Sequence, residues 1–386
     1  MIERTEEHDA FRAVVRDFAR RELLPHVDRW EAAAELPMEA VTKMADLGLF
    51  GIAFPEELGG GGGDFTSLCI AIEEIGQVNQ SLGITLSAGV GLGANPIHSF
   101  GTPDQQTEWL PDLIAGRRLG AFGLTEPDAG SDAGGTRTKA VLDEATGEWV
   151  INGSKAFITN SGTPITSIVT VTALTGPGEI SSFVVPSGTP GLIIEPAYNK
   201  LGWHASDTHG ITLADCRVPA ANMLGARGTG FRNFLKILDD GRIAISALAL
   251  GSAQACLDMS IEYAKERQAF GGPIGRFQGL AFQIADLAVA VQNSRNLTYG
   301  AARLKDQGRP FKQEAAMAKL YSTETAMTAA RVATQVLGGS GFIEGPAARF
   351  YRDAKILEVG EGTSEIQRIT IARGILGKST GTTRKL

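Results

Sequence analysis

Three stretches in the second half of the chain, residues 229–270, 277–305 and 311–337, carry apolar and small residues through many helical turns, with glycine and proline separating one from the next. Each is longer than a typical globular helix. Long, mostly apolar helices joined by short turns have to lie side by side, so the chain is expected to build an antiparallel bundle at its C-terminal end. A helix from Pro346 and another from Ser364 complete it.

The rest of the chain divides by texture. Residues 1–118 read as helices: Phe11, Val14, Val15, Phe18 and Leu23 recur at helical spacing before Pro25, Pro37 opens a second helix, and Asp64 caps a third after the glycine run 59–63. Residues 119–225 break into short β-like runs at 120–124, 149–151, 156–159, 168–174, 182–185, 192–195 and 210–213. Turn signals such as Asn152-Gly153 and Asn160-Ser161-Gly162 separate them, which points to a small antiparallel barrel or sandwich. The expected class is α+β in three domains, 1–118, 119–225 and 226–386, and 386 residues with 43% hydrophobic composition supply enough core for them.

Several functions are excluded early. Cys69, Cys216 and Cys256 have neither disulfide nor zinc spacing, and His8, His26, His98 and His209 form no metal pattern. The N-terminus lacks an apolar segment after a basic start, and the longest nearly uncharged run, 243–257, is too short to span a bilayer, so a cytoplasmic protein is expected. Residues 1–225 hold 14 Lys+Arg against 29 Asp+Glu, while residues 226–386 hold 22 against 14. The basic half could face phosphates, but it has no dense basic run with interleaved aromatics, which argues against nucleic acid. Gly89-Val90-Gly91-Leu92-Gly93-Ala94 matches a dinucleotide pattern after a possible strand at 84–86. Pro96 falls where that fold needs a helix to begin, and no acidic strand end follows, so a Rossmann site is not expected.

The chemistry concentrates elsewhere. Glu361 stands between Gly360 and Gly362, so its carboxylate has no flanking side chains and its backbone can approach a ligand. Thr363 and Ser364 then cap the terminal helix, placing the carboxylate at that helix's positive end. Phe122 to Asp132 runs from a strand into a turn whose N–H groups and hydroxyls suit a phosphate or a polar ring edge. Asn152 to Asn160 reads as a tight hairpin returning with Phe157 and Thr159 on one face, able to cover and hydrogen-bond a flat ring system. On the bundle, Asp239-Asp240-Gly241-Arg242, Glu266 to Gly271 and Gln335 to Gly341 include Arg242 and Arg267, both candidates for phosphate contacts.

Together, Thr125-Glu126-Pro127 with Gly130-Ser131, Phe157-Ile158-Thr159, Arg267 to Gly271 and Glu361-Gly362-Thr363 resemble, in order and spacing, the acyl-CoA dehydrogenase flavoprotein family across roughly residues 5–376. The resemblance implies an N-terminal α domain, a β domain and a C-terminal four-helix bundle, in a homotetramer that holds FAD between the latter two domains and a neighbouring subunit. Carried over position by position, Phe122, Leu124, Thr125, Gly130 and Ser131 would face the flavin or its pyrophosphate. Phe157 would cover the isoalloxazine, the Thr159 hydroxyl would reach N5, and Ile158 between them would belong to the cofactor site. Arg267, Phe270, Gln278, Gln335, Gly338 and Gly339 would hold the ADP part from an adjoining subunit, with Thr363 and Glu365 flanking the cofactor near the base. Ser131, Asp239, Arg242 and Gly362 correspond to positions on the substrate side. Glu361 would then remove the α proton of an acyl-CoA thioester while a hydride leaves the β carbon for flavin N5, and electrons would pass to an electron-transfer flavoprotein. An oxygen-using oxidase of the same fold, or a flavin-containing nucleic-acid-binding relative, would share the fold without that outcome. The chain departs from the family pattern at Gly360, where many relatives carry an aromatic, and at His204, where many carry arginine; His204 reads as structural.

Overall fold

The computed structural model describes residues 5–377; residues 1–4 and 378–386 lie outside it. The N-terminal helices are α1 (Glu6–Phe18), α2 (Val27–Ala33), α3 (Met38–Asp46), α4 (Phe65–Val78), α5 (Gln80–Ala88), α6 (Asn95–Phe100) and α7 (Pro103–Ile114). Their starts follow local chemistry. Thr5 caps α1, the Asp64 carboxylate accepts the Ser67 N–H at 2.8 Å to cap α4, and Thr102 forms a capping box with Gln105 ahead of α7.

Residues 84–86 lie inside α5, so the strand expected there is absent, and 89–94 continue as a π-helical segment. The glycines of that segment serve packing. A Cβ at Gly93 would come within 2.7 Å of the Gly120 carbonyl, so Gly93 lets a helix meet the first strand at backbone distance.

Seven strands follow: β1 (Leu119–Gly123), β2 (Lys139–Asp143), β3 (Glu148–Thr159), β4 (Thr166–Gly176), β5 (Glu179–Pro186), β6 (Leu192–Ala197) and β7 (Thr208–Pro219). They form one sheet in the order β1-β4-β2-β3-β7-β6, with β5 on β4. The sheet is mixed, which corrects the antiparallel expectation: β1 runs parallel to β4, and β2 touches β4 in parallel. Asn152-Gly153 is not a hairpin turn. It is a bulge within the single strand β3, where the register against β7 shifts and Asn152 exchanges hydrogen bonds with Asp215. Trp149, Ile151, Val169, Val171, Phe183 and Ile211 fill the core of this domain.

The C-terminal helices are α8 (Gly230–Glu266), α9 (Gln278–Asp306), α10 (Lys312–Leu337), the short α11 (Gly339–Phe342), α12 (Pro346–Leu357) and α13 (Ser364–Leu376). α8, α9 and α10 pack on one another, and α12 and α13 pack on α10. α8 also packs along α4 and α5, so one hydrophobic core runs from the N-terminal helices into the bundle. By length and composition α8 is the one helix among the described residues able to cross a membrane, but 78% of its apolar window is buried inside the protein, as in a core helix. The three cysteines are buried and unpaired.

An ion cluster locks α1 to this core. The Arg12 guanidinium donates to Glu73 at 3.0 Å and Glu74 at 2.6 Å on α4, and reaches Tyr299 of α9 at 2.6 Å.

Candidate active site

α12 ends at Leu357 and the chain turns sharply before α13. The Gly360 N–H donates to the Ile356 carbonyl at 2.8 Å, the Ser364 N–H to the Glu358 carbonyl at 3.0 Å, and Thr363 caps α13 by accepting the Ile366 N–H. Glu361 sits in the left-handed region at φ +53°, with Gly362 at φ +93°. A glutamate held there is strained by roughly 1–3 kcal/mol, a cost that is usually tolerated where geometry serves a site. Phe157 and Phe270, both expected at the cofactor, share this rare conformation.

The strained turn aims the carboxylate into the protein. Glu361 Oε2 is buried without a hydrogen-bond partner, and a Cβ built on Gly241 of α8 would collide with it. Only glycine at 241 leaves room for the acid. Burial raises the Glu361 carboxyl to about 7, against the opposing pull of Lys319 first and Arg242 second. Among the described residues no protein acceptor takes the Glu361 N–H.

Two cations flank this acid, each already engaged. Arg242 is buried and pairs with Asp239, which also faces Lys312 at 3.8 Å. Burial pushes Arg242 below its ordinary value and Asp239 above its own, each opposed by the other. Arg242 therefore lies beside the acid on a buried face and not on a solvated one. Lys319 of α10 is fully buried and donates to the Gly362 carbonyl at 2.8 Å, a carbonyl that Gln367 Nε2 also reaches at 2.8 Å. Asp239, Arg242 and Gly362 thus gather round Glu361. Neighbouring Asp240 is taken up by Lys305 at 2.9 Å and Asn95 at 3.2 Å.

A second locus forms on the sheet. The Phe122 and Leu124 side chains are buried against α8, with Phe122 stacked on Phe234 at a ring separation of 3.9 Å, so these positions can offer a ligand their backbone but not their side chains. Ile158 likewise points into the sheet core. Phe157 is 67% exposed beside Tyr198, and Thr159 is half-buried at the end of β3. The turn carrying Thr125, Gly130 and Ser131 stands on a rigid base. Lys155, fully buried, donates to Glu126 at 2.8 Å, and Glu126 also accepts from the Thr136 hydroxyl and the Arg137 and Thr138 N–H groups. Burial alone would raise the Glu126 carboxyl, but Lys155 and these donors hold it at about 2. Gly130 and Ser131 are left exposed at the tip, with nothing within 4 Å of a Cβ added at Gly130.

A third locus is an open cleft of about 470 Å³ lined by Tyr263, Arg267, Ile274, Gly338, Gly339 and Ser340. Phe270, 90% exposed, lies edge-on to Phe277, and Gln278 and Gln335 are exposed on α9 and α10. Glu365 is exposed in the first turn of α13. His204 Nε2 lies 3.1 Å from the Lys200 carbonyl, a local structural bond.

Sequence reasoning missed Lys319 and Lys155 as participants. A signal for the first existed: Lys319 falls at helical spacing with Ala315, Ala316, Ser322, Thr323 and Ala326, a face of small residues that had to be buried.

The whole chain matches known proteins. The N-terminal, middle and C-terminal domains of acyl-CoA dehydrogenases match residues 5–117, 121–216 and 228–376. The probable acyl-CoA dehydrogenase YngJ of Bacillus subtilis is 50% identical over 97% of this chain and 99% of its own. Among solved structures, butyryl-CoA dehydrogenase from Megasphaera elsdenii superposes with a TM-score of 0.94 at 40% identity, covering 97% of this chain and 100% of its own. A chain from a structure titled electron transferring flavoprotein of Acidaminococcus fermentans also gives 0.94 at 40% identity, covering 97% and 99%. The chain belongs to the acyl-CoA dehydrogenase family and is an oxidoreductase of that family.

Proposed function

We propose that this enzyme dehydrogenates a short-chain acyl-CoA thioester between its α and β carbons, with Glu361 as the base, FAD as cofactor and an electron-transfer flavoprotein as acceptor. The observation that carries the reading is Glu361: its Oε2 is buried without a hydrogen-bond partner, burial pushes its carboxyl up to about 7, and a strained turn presents it. A carboxylate satisfied by donors would be too weak a base for a carbon acid. Short-chain specificity is supported by the likeness to butyryl-CoA dehydrogenase. The structure named for an electron transferring flavoprotein supports the partner.

The residues present fit FAD. The exposed Phe157 with Thr159 beside it suits the face of a flat ring, the open Thr125, Gly130 and Ser131 turn suits a pyrophosphate, and the Arg267, Gly338 and Gly339 cleft suits the ADP end. Bound there, FAD supplies the two-electron acceptor for the β hydride.

The chain's own residues do the rest. Glu361 accepts the α proton on its carboxylate, and its free N–H is available to the thioester oxygen, where charge develops as that proton leaves. Gly360 and Gly362 add no side chain of their own on either flank of that N–H. Arg242, tied back by Asp239, adds positive potential without neutralising the base.

In this reading α8, α9 and α10 contribute to a four-helix bundle. The exposed Phe270, Phe282, Val289 and Phe342 support burial against further copies in a homotetramer. The test is Glu361→Gln. The purified protein is expected to stay yellow while anaerobic bleaching by butyryl-CoA falls by several orders of magnitude; bleaching at the native rate would refute the assignment.

A further inference from the structure

Lys319 is a fully buried lysine within α10, which is rare unless its charge is paired. Its Nζ donates at 2.8 Å to the carbonyl of Gly362, the residue that follows the base. Resting on the assignment of Glu361 as that base, we infer that Lys319 is a positioning residue for the dehydrogenation. Its ammonium clamps the turn that holds Glu361 against Gly241, and it places a positive charge next to the residue that carries the carboxylate.

The surroundings define what Lys319 can act on. From the turn and α13 it faces Glu361, Glu358 and Glu365, and from α8 it faces Arg242, which Asp239 holds. Glu358 is occupied by Lys355 of α12 at 2.6 Å, Asp239 has a second cation in Lys312, and Arg295 of α9 turns to Glu73. Glu361 is therefore the acid left without a direct partner. Burial lowers the Lys319 ammonium to about 8 while Glu361 opposes that fall, so the charge persists at neutral pH.

The hydrogen bond and the charge can be separated. Gln367 Nε2 donates to the same Gly362 carbonyl, so removing Lys319 leaves that oxygen satisfied. What is lost first is the charge.

The experiment compares Lys319→Met, Lys319→Gln and Lys319→Arg in the flavin-loaded enzyme. Two readouts are used: infrared difference titration of the buried carboxyl, with Glu361→Gln as blank, and the pH profile of flavin bleaching by butyryl-CoA. Both neutral variants are expected to retain flavin and to move the carboxyl midpoint and the acid limb of the rate upward by roughly one pH unit or more, the range for losing a nearby opposite charge. Lys319→Arg is expected to keep the midpoint near the native one.

An unchanged midpoint in both neutral variants, with rates lowered evenly at all pH, would overturn the inference. So would neutral variants that lose flavin while Lys319→Arg keeps it, because the lysine would then be holding the bundle together and not the turn. Failure of the base assignment reads differently: Glu361→Gln would itself still bleach, whatever the titration of Lys319 variants gave.

Discussion

Replacing Glu361 by glutamine should stabilise the protein while inactivating it, and only above a definite pH. The carboxyl is moved from 4.5 to about 7 by burial. Because the folded-state value lies above the unfolded one, the folded protein holds the proton more tightly. The associated stability is fully present below pH 4.5 and is lost as pH rises towards 7. Above pH 7 the ionised carboxylate then destabilises the fold by about 3 kcal/mol, because each tenfold change in an acid's ionisation constant is worth roughly 1.4 kcal/mol. Glutamine has nearly the same shape and no charge to bury, so Glu361→Gln should be more stable than the native enzyme by about 3 kcal/mol at pH 8 and by less than about 1 kcal/mol at pH 5. Unfolding of the flavin-loaded proteins, followed by flavin release at the two pH values, measures both differences. Equal effects at pH 5 and pH 8, or no gain at pH 8, would refute the claim that the fold carries a strained, charged base.

Two other substitutions probe the supports of the site. Gly241→Ala places a methyl group where the Glu361 carboxylate lies, so the acid must move. Stopped-flow bleaching by butyryl-CoA should slow at least about tenfold with flavin retained, given how steeply rate depends on a displaced reacting group; an unchanged rate would mean that the carboxylate works from another position. Lys155→Met strands Glu126 in the β domain without its ion partner. A loss of about 3–5 kcal/mol is expected, largely recovered when Glu126→Gln is added, because the penalty comes from the unpaired buried charge. Equal thermal shifts in the single and double variants would remove that explanation.

What the sequence made legible is what local patterning encodes. The long helices α8, α9 and α10 were readable to within a few residues because Gly and Pro bracket their apolar runs, and Asp64 announced the start of α4 by its side-chain chemistry. Glu361 stood out because two glycines isolate it. The parallel pairing of β1 with β4 was not readable, since it joins Leu119 to Thr166 without any turn to mark the register. β2 was passed over although Ala140 is buried between exposed Lys139 and Val141, and Gly147 provides the turn after it. Asn152-Gly153 misled because the residues that favour a hairpin turn also suit a bulge; here Gly153 fits against Thr138, where any Cβ would clash. The partners of the buried lysines were unreadable for a different reason, although the face of small residues around Lys319 marks it as buried. A lysine's burial is decided by partners far along the chain, Glu126 for Lys155 and the Glu361–Gly362 turn for Lys319.

These buried charges bear on why the site works as a base at all. A direct ion pair between Arg242 or Lys319 and Glu361 would pull the carboxyl well below its ordinary value, and an acid that weakly basic could not take a proton from carbon at a useful rate. Each cation is instead committed elsewhere, Arg242 to Asp239 and Lys319 to the Gly362 carbonyl, and both hydrogen bonds are made by elements fixed in the core. With both cations removed, burial would act unopposed and push the carboxyl further up. The position near 7 follows from charges close enough to be felt and held too firmly to pair. A variant that releases either cation from its present partner, such as Asp239→Asn, should therefore lower the carboxyl's midpoint and slow proton removal, even though it leaves every residue that touches the reacting carbon unchanged.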